Sequence, residues 1–416
     1  MKAIINGKKL SGTVTVPSSK SIVHRMLICA SLADAPTEIR FFGMSADITA
    51  AADCIRSLGG GVETTPDGFR VTPIVSTKIG EKLRCRESGT TLRLLLPVTA
   101  ALGADASFMT EGRLADRPLS PLDSLMAEHG CTVSVEGRVV SCSGRLIGKD
   151  FSIDGGVSSQ FVSGLLLTLP ILGGGSVTVT GKCESRGYID MTVAVMRKFG
   201  VNVSVDGGTY TVSGKYTSPG ALTAEGDWSS AAFWAVASAL GGKITLRGMN
   251  TDSLQGDRAV LRLLEEMGAR VTEDEDGITV SADGGLHTAR FDASDIPDIV
   301  PVMTAAALSA DGITEIHGAA RLRLKESDRI ASTAQMIASC GGCVRELDDG
   351  LEITGSGRLK GGTVDACGDH RIAMSAAVLS ILCDGAVTID GAENVNKSYP
   401  DFWKDFAALG GDVSLE

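Results

Sequence analysis

The sequence contains no run of 18 uninterrupted apolar residues, and its opening segment MKAIINGKKL has neither an apolar stretch of signal-peptide length nor the Arg- and Ser-rich character of a transit peptide. These absences argue against a membrane-spanning helix and lead us to expect a soluble cytoplasmic protein with no membrane partner. A disulfide or zinc framework is also missing. The ten cysteines are scattered through apolar segments, and only Cys340 and Cys343 form a C-x-x-C, with no second pair and no histidine nearby. Reduced, buried thiols are expected, and there is no coherent set of metal ligands. Basic residues are in the minority, 39 Lys and Arg against 50 Asp and Glu, for a net charge of −11. That balance speaks against nucleic acid as a general partner. An anionic ligand would have to be met by positive charge concentrated locally.

What the chain does have is size and repetition. With 416 residues, 43% hydrophobic and 21% charged, it is long enough for two or more globular domains. An apolar helical run ends in Gly, with Val three residues later, at Gly59-Val62, Gly130-Val133, Gly200-Val203, Gly268-Val271, Gly341-Val344 and Gly410-Val413. The intervals between these glycines are 71, 70, 68, 73 and 69 residues, the spacing of a repeat. Each Gly suits the position just past a helix C-terminus, and each Val begins the next strand.

Within one period the order reads strand, polar turn, helix, strand, loop, helix, Gly, strand, tight turn, strand. In the second unit a strand from Leu83 to Arg86 leads through Glu87-Ser88-Gly89-Thr90 into a helix from Leu92 to Ala101. A strand from Ser107 to Thr110, a loop with Arg113 and Arg117, a helix from Leu119 to Glu128 and a hairpin turning at Glu136-Gly137 follow. The turn recurs at Asp67-Gly68, Asp206-Gly207, Asp276-Gly277 and Asp349-Gly350, so the unit is βαβαββ. The sixth unit stops after one strand of its hairpin, while Lys2 to Ile5 is a strand with no unit of its own. Either the last repeat is truncated or, as we expect, the N-terminal strand completes it. Six units then divide into a discontinuous domain of residues 1–17 and 225–416 and an inserted domain of residues 18–224, with ligands expected between the two.

The helix-opening loops carry the chemistry. In VPSSKSIVHR, Ser18 or Ser19 is a natural N-cap, and Lys20, Ser21 and Arg25 gather on the first turns of the helix that follows. Free N–H groups and about half a positive charge at a helix N-terminus, joined by two cations, make an anion site. Equivalent loops read Ser88-Gly89-Thr90, Ser158-Ser159-Gln160, Asp227-Trp228-Ser229-Ser230, Ile296-Pro297-Asp298 and Gly368-Asp369-His370-Arg371. These can be read as six ordinary caps, but Lys20, Gln160, Asp298 and Arg371 exceed what capping requires. The second loop of each unit adds Arg113 and Arg117, Arg186 with Tyr188, Arg258, the run Lys325-Glu326-Ser327-Asp328-Arg329, and Lys397. A solvated helix face would account for RLRLKESDR alone. It does not explain cationic loops in five units of an acidic protein.

At these residues the chain resembles the EPSP synthase family, the enolpyruvyl transferases of the shikimate pathway. SSKSIVHR, SGTTLR, DRP, VSSQF, ESRGYID, GDWSSA, IPD, LKESDR, GDHRIAM and NKSYPDF occur in family order along essentially the whole chain. The resemblance implies an α/β fold of two domains, each of three βαβαββ units in pseudo-threefold arrangement, the inverse α/β barrel of enolpyruvyl transferases, closing around the substrates. The implied reaction joins shikimate 3-phosphate and phosphoenolpyruvate into enolpyruvylshikimate 3-phosphate, with release of phosphate and without a cofactor. A monomer is the simpler expectation, since a cleft within one chain needs no partner.

Carried over by position, the family's shikimate 3-phosphate contacts fall on Lys20, Ser21, Arg25, Ser158, Ser159, Gln160, Ser185, Asp298 and Lys325, with Tyr188 beside them. The phosphoenolpyruvate contacts fall on Lys20, Gly89, Arg117, Gln160, Arg329, Arg371 and Lys397. Asp298, Glu326, Lys20 and His370 become the expected catalytic groups. The reaction needs both kinds of residue: the 5-hydroxyl loses a proton, the methylene carbon gains one, and the tetrahedral ketal then expels phosphate. Cations neutralise and orient two mutually repelling anions. There are departures from the family pattern: Glu87 stands where Asn is frequent, Leu94 where Pro is frequent, and Arg321 where an Asn contact to the shikimate phosphate is common.

UDP-N-acetylglucosamine enolpyruvyl transferases share fold and reaction type. They typically have Lys-Asn where this chain has Lys20-Ser21, and a loop cysteine absent from Thr110 to Pro118. RNA 3′-phosphate cyclases, built from similar units, need a nucleotide-accepting histidine and RNA contacts that are not apparent here. A non-catalytic scaffold leaves the cations unexplained. Phosphate should be released from phosphoenolpyruvate when shikimate 3-phosphate is the acceptor and not when UDP-N-acetylglucosamine is; a colorimetric phosphate assay with each acceptor reads this directly.

Overall fold

A computed structural model describes residues 1–416. The chain forms two compact units, one of Met1–Pro17 with Gly226–Glu416 and one of Ser18–Glu225. Each contains three of the six four-stranded sheets, and all six sheets follow one plan. In the third repeat Asp150–Asp154 runs parallel to Gly175–Thr180, which pairs antiparallel with Thr209–Ser213, itself paired with Asn202–Asp206. A helix, Ser159–Thr168, joins the parallel pair, as a parallel crossover requires. The antiparallel pair turns through two residues, Gly207 and Gly208, because Asp206 lies opposite Thr209. The equivalent turns are Pro66-Asp67, Gly137-Arg138, Glu275-Asp276 and Asp348-Asp349.

The six repeat glycines, Gly59, Gly130, Gly200, Gly268, Gly341 and Gly410, all have left-handed backbone, with φ between 79° and 106°. That conformation turns the next amide back onto the helix it has just left. Gly60 donates to the Ile55 carbonyl, Val201 to Met196, Ala269 to Leu264, Gly342 to Ile337 and Gly411 to Phe406. A side chain at the turning residue would clash with its own carbonyl, which is why glycine recurs there.

Two places depart from simple repetition. Lys2–Asn6 lies between Val387–Asp390 and Asp412–Leu415, antiparallel to both, and so occupies the hairpin position that the last repeat lacks. The strand preceding the first helix, Ser11–Thr15, is not in the first repeat's sheet. It runs parallel to Lys243–Arg247 in the fourth-repeat sheet of its own unit, while Ala221–Thr223 takes the edge beside Thr37–Arg40. Chain order assigns each strand to the helix that follows it. An edge strand, however, joins whichever sheet offers open backbone groups along its path, and at the two crossovers the edges are exchanged.

The helices fall into two classes. Lys20–Ser31, Gly89–Ala101 and Ser159–Thr168 in one unit, and Trp228–Ala239, Val300–Ser309 and His370–Leu379 in the other, are inner helices. Every residue of Gly89–Ala101, Trp228–Ala239 and His370–Leu379 is buried, because Ala, Leu, Ser and Thr encircle these helices without a charged face. The outer helices are amphipathic: in Ala259–Glu266 only Val260, Leu263 and Leu264 are buried. Of the ten free cysteines seven are buried, but Cys343 of the C-x-x-C is exposed, so the expectation of buried thiols fails there.

Close helix packing depends on small residues. A Cβ on Gly164 would lie 2.6 Å from the Arg93 carbonyl oxygen and 2.9 Å from Pro97 Cγ on the adjoining inner helix. Gly164→Val should therefore lower stability by about 1–3 kcal/mol, read as a shift in the urea midpoint at unchanged slope.

Candidate active site

In the unit Ser18–Glu225 the N-termini of the three inner helices converge. Lys20 opens its helix, and its Nζ lies 2.7 Å from Oδ2 of Asp47, a buried carboxylate in the first turn of Ala46–Leu58. Ser19 is the N-cap by position but forms no side-chain cap bond. The Ser18 hydroxyl accepts from the Phe42 amide at 3.0 Å and donates to the Ala224 carbonyl at 3.1 Å. Neither serine supplies the side-chain cap expected of it; Ser18 fastens the crossover backbone instead.

Arg25 is 1% exposed, and its partners are neutral oxygens. Nε donates to Thr192 Oγ1 at 2.7 Å, Nη1 to the Ser21 carbonyl at 2.7 Å, and Nη2 to the Tyr188 carbonyl at 3.0 Å and Ser163 Oγ at 3.5 Å. The guanidinium also sits 6.0 Å from the Tyr188 ring centroid. Burial pulls its pKa down to about 10. The cation stays charged at neutral pH, and no carboxylate is among those partners to offset it.

Ser158 caps Ser159–Thr168 by accepting from the Gln160 amide at 3.3 Å. Gln160 Nε2 donates to Thr90 Oγ1 at 2.9 Å, and its Oε1 accepts from Arg93 Nη1 at 3.2 Å. Arg93 Nη2 reaches the Pro118 carbonyl at 3.0 Å, next to Arg117. A Cβ on Gly89 would stand 2.9 Å from Arg117 Nη1, so glycine is what lets that guanidinium lie over the helix N-terminus. Ser185 is buried at φ 54°, a left-handed conformation that costs about 1–3 kcal/mol in a non-glycine residue and often marks a functional loop. Lys20, Ser21, Arg25, Gly89, Arg117, Ser158, Ser159, Gln160, Ser185 and Tyr188 all belong to this unit. Leu94 is fully buried within its helix and lines no surface.

The other unit gathers opposite charges around one buried cation. Arg329 is 1% exposed; Nε donates to Asp369 Oδ2 at 2.7 Å, Nη1 to Asp298 Oδ1 at 2.6 Å and Nη2 to Glu326 Oε2 at 2.7 Å. Burial alone would lower its pKa, but Asp369, Glu326 and Asp298 together hold the guanidinium well above its ordinary value. Arg371 Nη2 lies 3.8 Å from Asp298 Oδ2, and His370 Nδ1 lies 3.5 Å from Asp369 Oδ1. Asp369 also caps His370–Leu379 by accepting from the Arg371 amide. Lys325 follows the short 3-10 helix Ala320–Leu324, and Lys397, 8% exposed, closes another, Ala392–Lys397. Arg321 donates to the Ser294 carbonyl at 3.1 Å.

Asp257, 3% exposed, accepts from the Ser229 hydroxyl. Burial and the charge of Asp298 raise its pKa to about 7, against the opposing pull of Arg371. Sequence reasoning missed Asp47, Arg93 and Asp257, and named Thr90 and Asp369 only as members of helix-opening loops. Thr90, Arg93 and Asp369 stand inside SGTTLR and GDHRIAM, where the motif was the available signal; Asp47 reads as an ordinary first-turn acid and Asp257 carried none.

The profile of the family described as EPSP synthase (3-phosphoshikimate 1-carboxyvinyltransferase) matches residues 4–406. A Clostridium kluyveri protein named 3-phosphoshikimate 1-carboxyvinyltransferase is 41% identical over 98% of this chain and 97% of its own. One of the same name from Clostridium perfringens is 38% identical over the full length of both. A solved EPSP synthase from Acinetobacter baumannii superposes over the full length of both chains with a TM-score of 0.81 at 26% identity.

Because the folded state raises the Asp257 pKa from 3.8 to about 7, its contribution to stability is full below pH 4 and is lost as the pH rises towards 7. The Asp257→Asn variant lacks that dependence. Between pH 4 and 8 the native protein should lose more stability than the variant, by on the order of 4 kcal/mol in urea unfolding.

Proposed function

The chain belongs to the EPSP synthase family, and from that membership we propose that it transfers the enolpyruvyl group of phosphoenolpyruvate to the 5-hydroxyl of shikimate 3-phosphate, releasing phosphate. The activity is that of a 3-phosphoshikimate 1-carboxyvinyltransferase, a step towards chorismate and the aromatic amino acids. One observation supports this division of labour best. A buried guanidinium with neutral partners, Arg25, sits in one unit, and a guanidinium ringed by carboxylates, Arg329, sits in the other. The first is suited to hold a phosphate dianion, the second to position groups that exchange protons.

In this reading the shikimate phosphate is met by Arg25, Ser21, Ser158, Ser159 and Ser185. Lys20, Gly89, Arg117, Arg329, Arg371 and Lys397 take the phosphate and carboxylate of phosphoenolpyruvate, with Gln160 and Lys325 reaching both substrates. Asp298 and Glu326 are each fixed by one arm of Arg329. One carboxylate accepts the proton of the 5-hydroxyl as its oxygen attacks C2 of phosphoenolpyruvate, and an acid delivers a proton to the methylene carbon. Loss of that proton with departure of phosphate restores the double bond. Such acid–base groups contribute about 10² to 10⁴ in rate. The cations keep the substrates' negative charges from repelling one another. His370 is placed to orient Asp369, from which its Nδ1 is 3.5 Å distant. No metal or organic cofactor is needed for this chemistry.

We take the units Met1–Pro17 with Gly226–Glu416 and Ser18–Glu225 as the two domains, and a cytoplasmic monomer as the working form. No helix is long and apolar enough to cross a membrane.

Asp298→Asn should lower kcat by about 10² to 10⁴ with KM values changed far less. Arg25→Ala should do the reverse, raising the KM for shikimate 3-phosphate by about 100-fold with a smaller effect on kcat, since it removes a charge-assisted contact made before and during reaction. Steady-state kinetics with each substrate varied in turn separates the two; a KM effect from Asp298→Asn would recast that residue as a binding group.

A further inference from the structure

His24 has no part in the roles assigned above, yet it touches two of the helix N-termini that carry them. It is fully buried within Lys20–Ser31. Nδ1 lies 2.7 Å from the Lys20 carbonyl oxygen, and Nε2 lies 3.1 Å from Thr91 Oγ1 and 3.4 Å from Ser88 Oγ. A carbonyl only accepts, so the ring proton belongs on Nδ1 and Nε2 is the acceptor. Ser88 is the N-cap of Gly89–Ala101, and its Oγ accepts from the Thr91 amide at 3.2 Å and from the Thr91 hydroxyl at 2.8 Å. Ser88 and Thr91 are themselves fully buried. The imidazole therefore closes a small network joining the first turn that bears Lys20 to the cap that sets Gly89.

We infer that His24 is a positioning residue which holds the Lys20 and Gly89 helix N-termini in register, so that its loss loosens phosphoenolpyruvate binding while the shikimate 3-phosphate cradle stays intact. This rests on the assignment of Lys20 and Gly89 to phosphoenolpyruvate made above, and on Arg25 and the serines carrying the binding of shikimate 3-phosphate, among whose contacts Lys20 also falls. Selectivity is expected because Arg25, the next residue, is anchored elsewhere, on Thr192, Ser163 and the Ser21 and Tyr188 carbonyls. Nothing among those anchors belongs to Gly89–Ala101. The ring acts as a neutral bridge rather than an acid or base: burial lowers its pKa to about 4 against the pull of the Asp47 charge and of the bond to the Lys20 carbonyl, with the Lys20 and Arg25 charges adding to the lowering. Because the Thr91 hydroxyl donates to Ser88 Oγ, the proton that Nε2 accepts is that of Ser88, and removing the ring leaves this buried hydroxyl short of an acceptor.

The test varies each substrate in steady-state assays of the full chain and of His24→Ala, His24→Asn and Lys20→Met, with melting curves for all four. Losing a buried hydrogen-bond bridge is expected to raise the KM for phosphoenolpyruvate about tenfold in His24→Ala, with the KM for shikimate 3-phosphate held within about twofold. In His24→Asn the amide NH₂ can replace the Nδ1 donor to Lys20 but cannot reach Ser88, so its effect should be intermediate. If His24→Ala does not fold, His24→Asn carries the same comparison between substrates. Equal losses for both substrates alongside a lower melting temperature would reduce His24 to a packing role and overturn the inference. So would an unchanged KM for phosphoenolpyruvate in a His24 variant when Lys20→Met raises it. An unchanged KM in Lys20→Met would instead overturn the assignment of Lys20, and the role of His24 with it.

Discussion

A guanidinium taken out of water needs other groups to replace its lost hydration, and around Arg329 three carboxylates do so. Asp298, Glu326 and Asp369 surround it at 2.6–2.7 Å. Three carboxylates around one arginine leave the cluster with surplus negative charge, and its surroundings follow from that. Arg371 approaches Asp298 and His370 approaches Asp369, while Asp257, whose carboxyl is pushed up first by burial, is pushed further by the charge of Asp298. Asp369 has a second duty as the cap of His370–Leu379, so one carboxylate ties the outer helix Arg329–Ser339 to the N-terminus of an inner one. Breaking such a cluster by removing one partner typically costs about 3–5 kcal/mol.

The other unit is arranged in the opposite sense. Arg25 is as deeply buried, but its partners are hydroxyls and carbonyls, which solvate the charge without cancelling it. Helix N-termini nearby add partial positive charge of the same sign. In a chain of net charge −11, Arg25 is thus a buried cation whose hydrogen-bond partners carry no charge, the feature on which the proposed contact to a phosphorylated substrate rests. The proposed chemistry uses both kinds of site: the shikimate phosphate is met by a cation without carboxylate partners, Arg25, while Asp298 and Glu326, the groups proposed to move protons, are held beside Arg329.

Much of the architecture was legible because the features that mark it are local. The Gly59 and Gly200 positions require left-handed backbone whatever packs around them, and two-residue turns need their own residue types, so a repeat of about 70 residues could be counted from the chain. Residues at helix N-termini, among them Lys20, Gln160, Asp298 and Arg371, stood out because their chemistry exceeds what a cap requires. Edge-strand exchange was not legible, since Ser11–Thr15 and Ala221–Thr223 choose partners across the fold and not along the chain. Nor were the partners of the charged groups: Asp47 sits 27 residues from Lys20, and Asp369 sits 40 from Arg329.

The sequence by itself therefore determined the repeat, the helix N-termini to which function is here assigned, and the family to which the chain is similar. Each of these depends on backbone conformations and residue types that act over a few neighbours. Only the tertiary structure decided that Arg329 would be neutralised and Arg25 would not, that Ser18 would fasten a crossover instead of capping a helix, and that Arg321 would turn to the Ser294 carbonyl. Electrostatic partnership in a buried site depends on distances of 3–4 Å between residues far apart in the chain, and folding alone sets those distances.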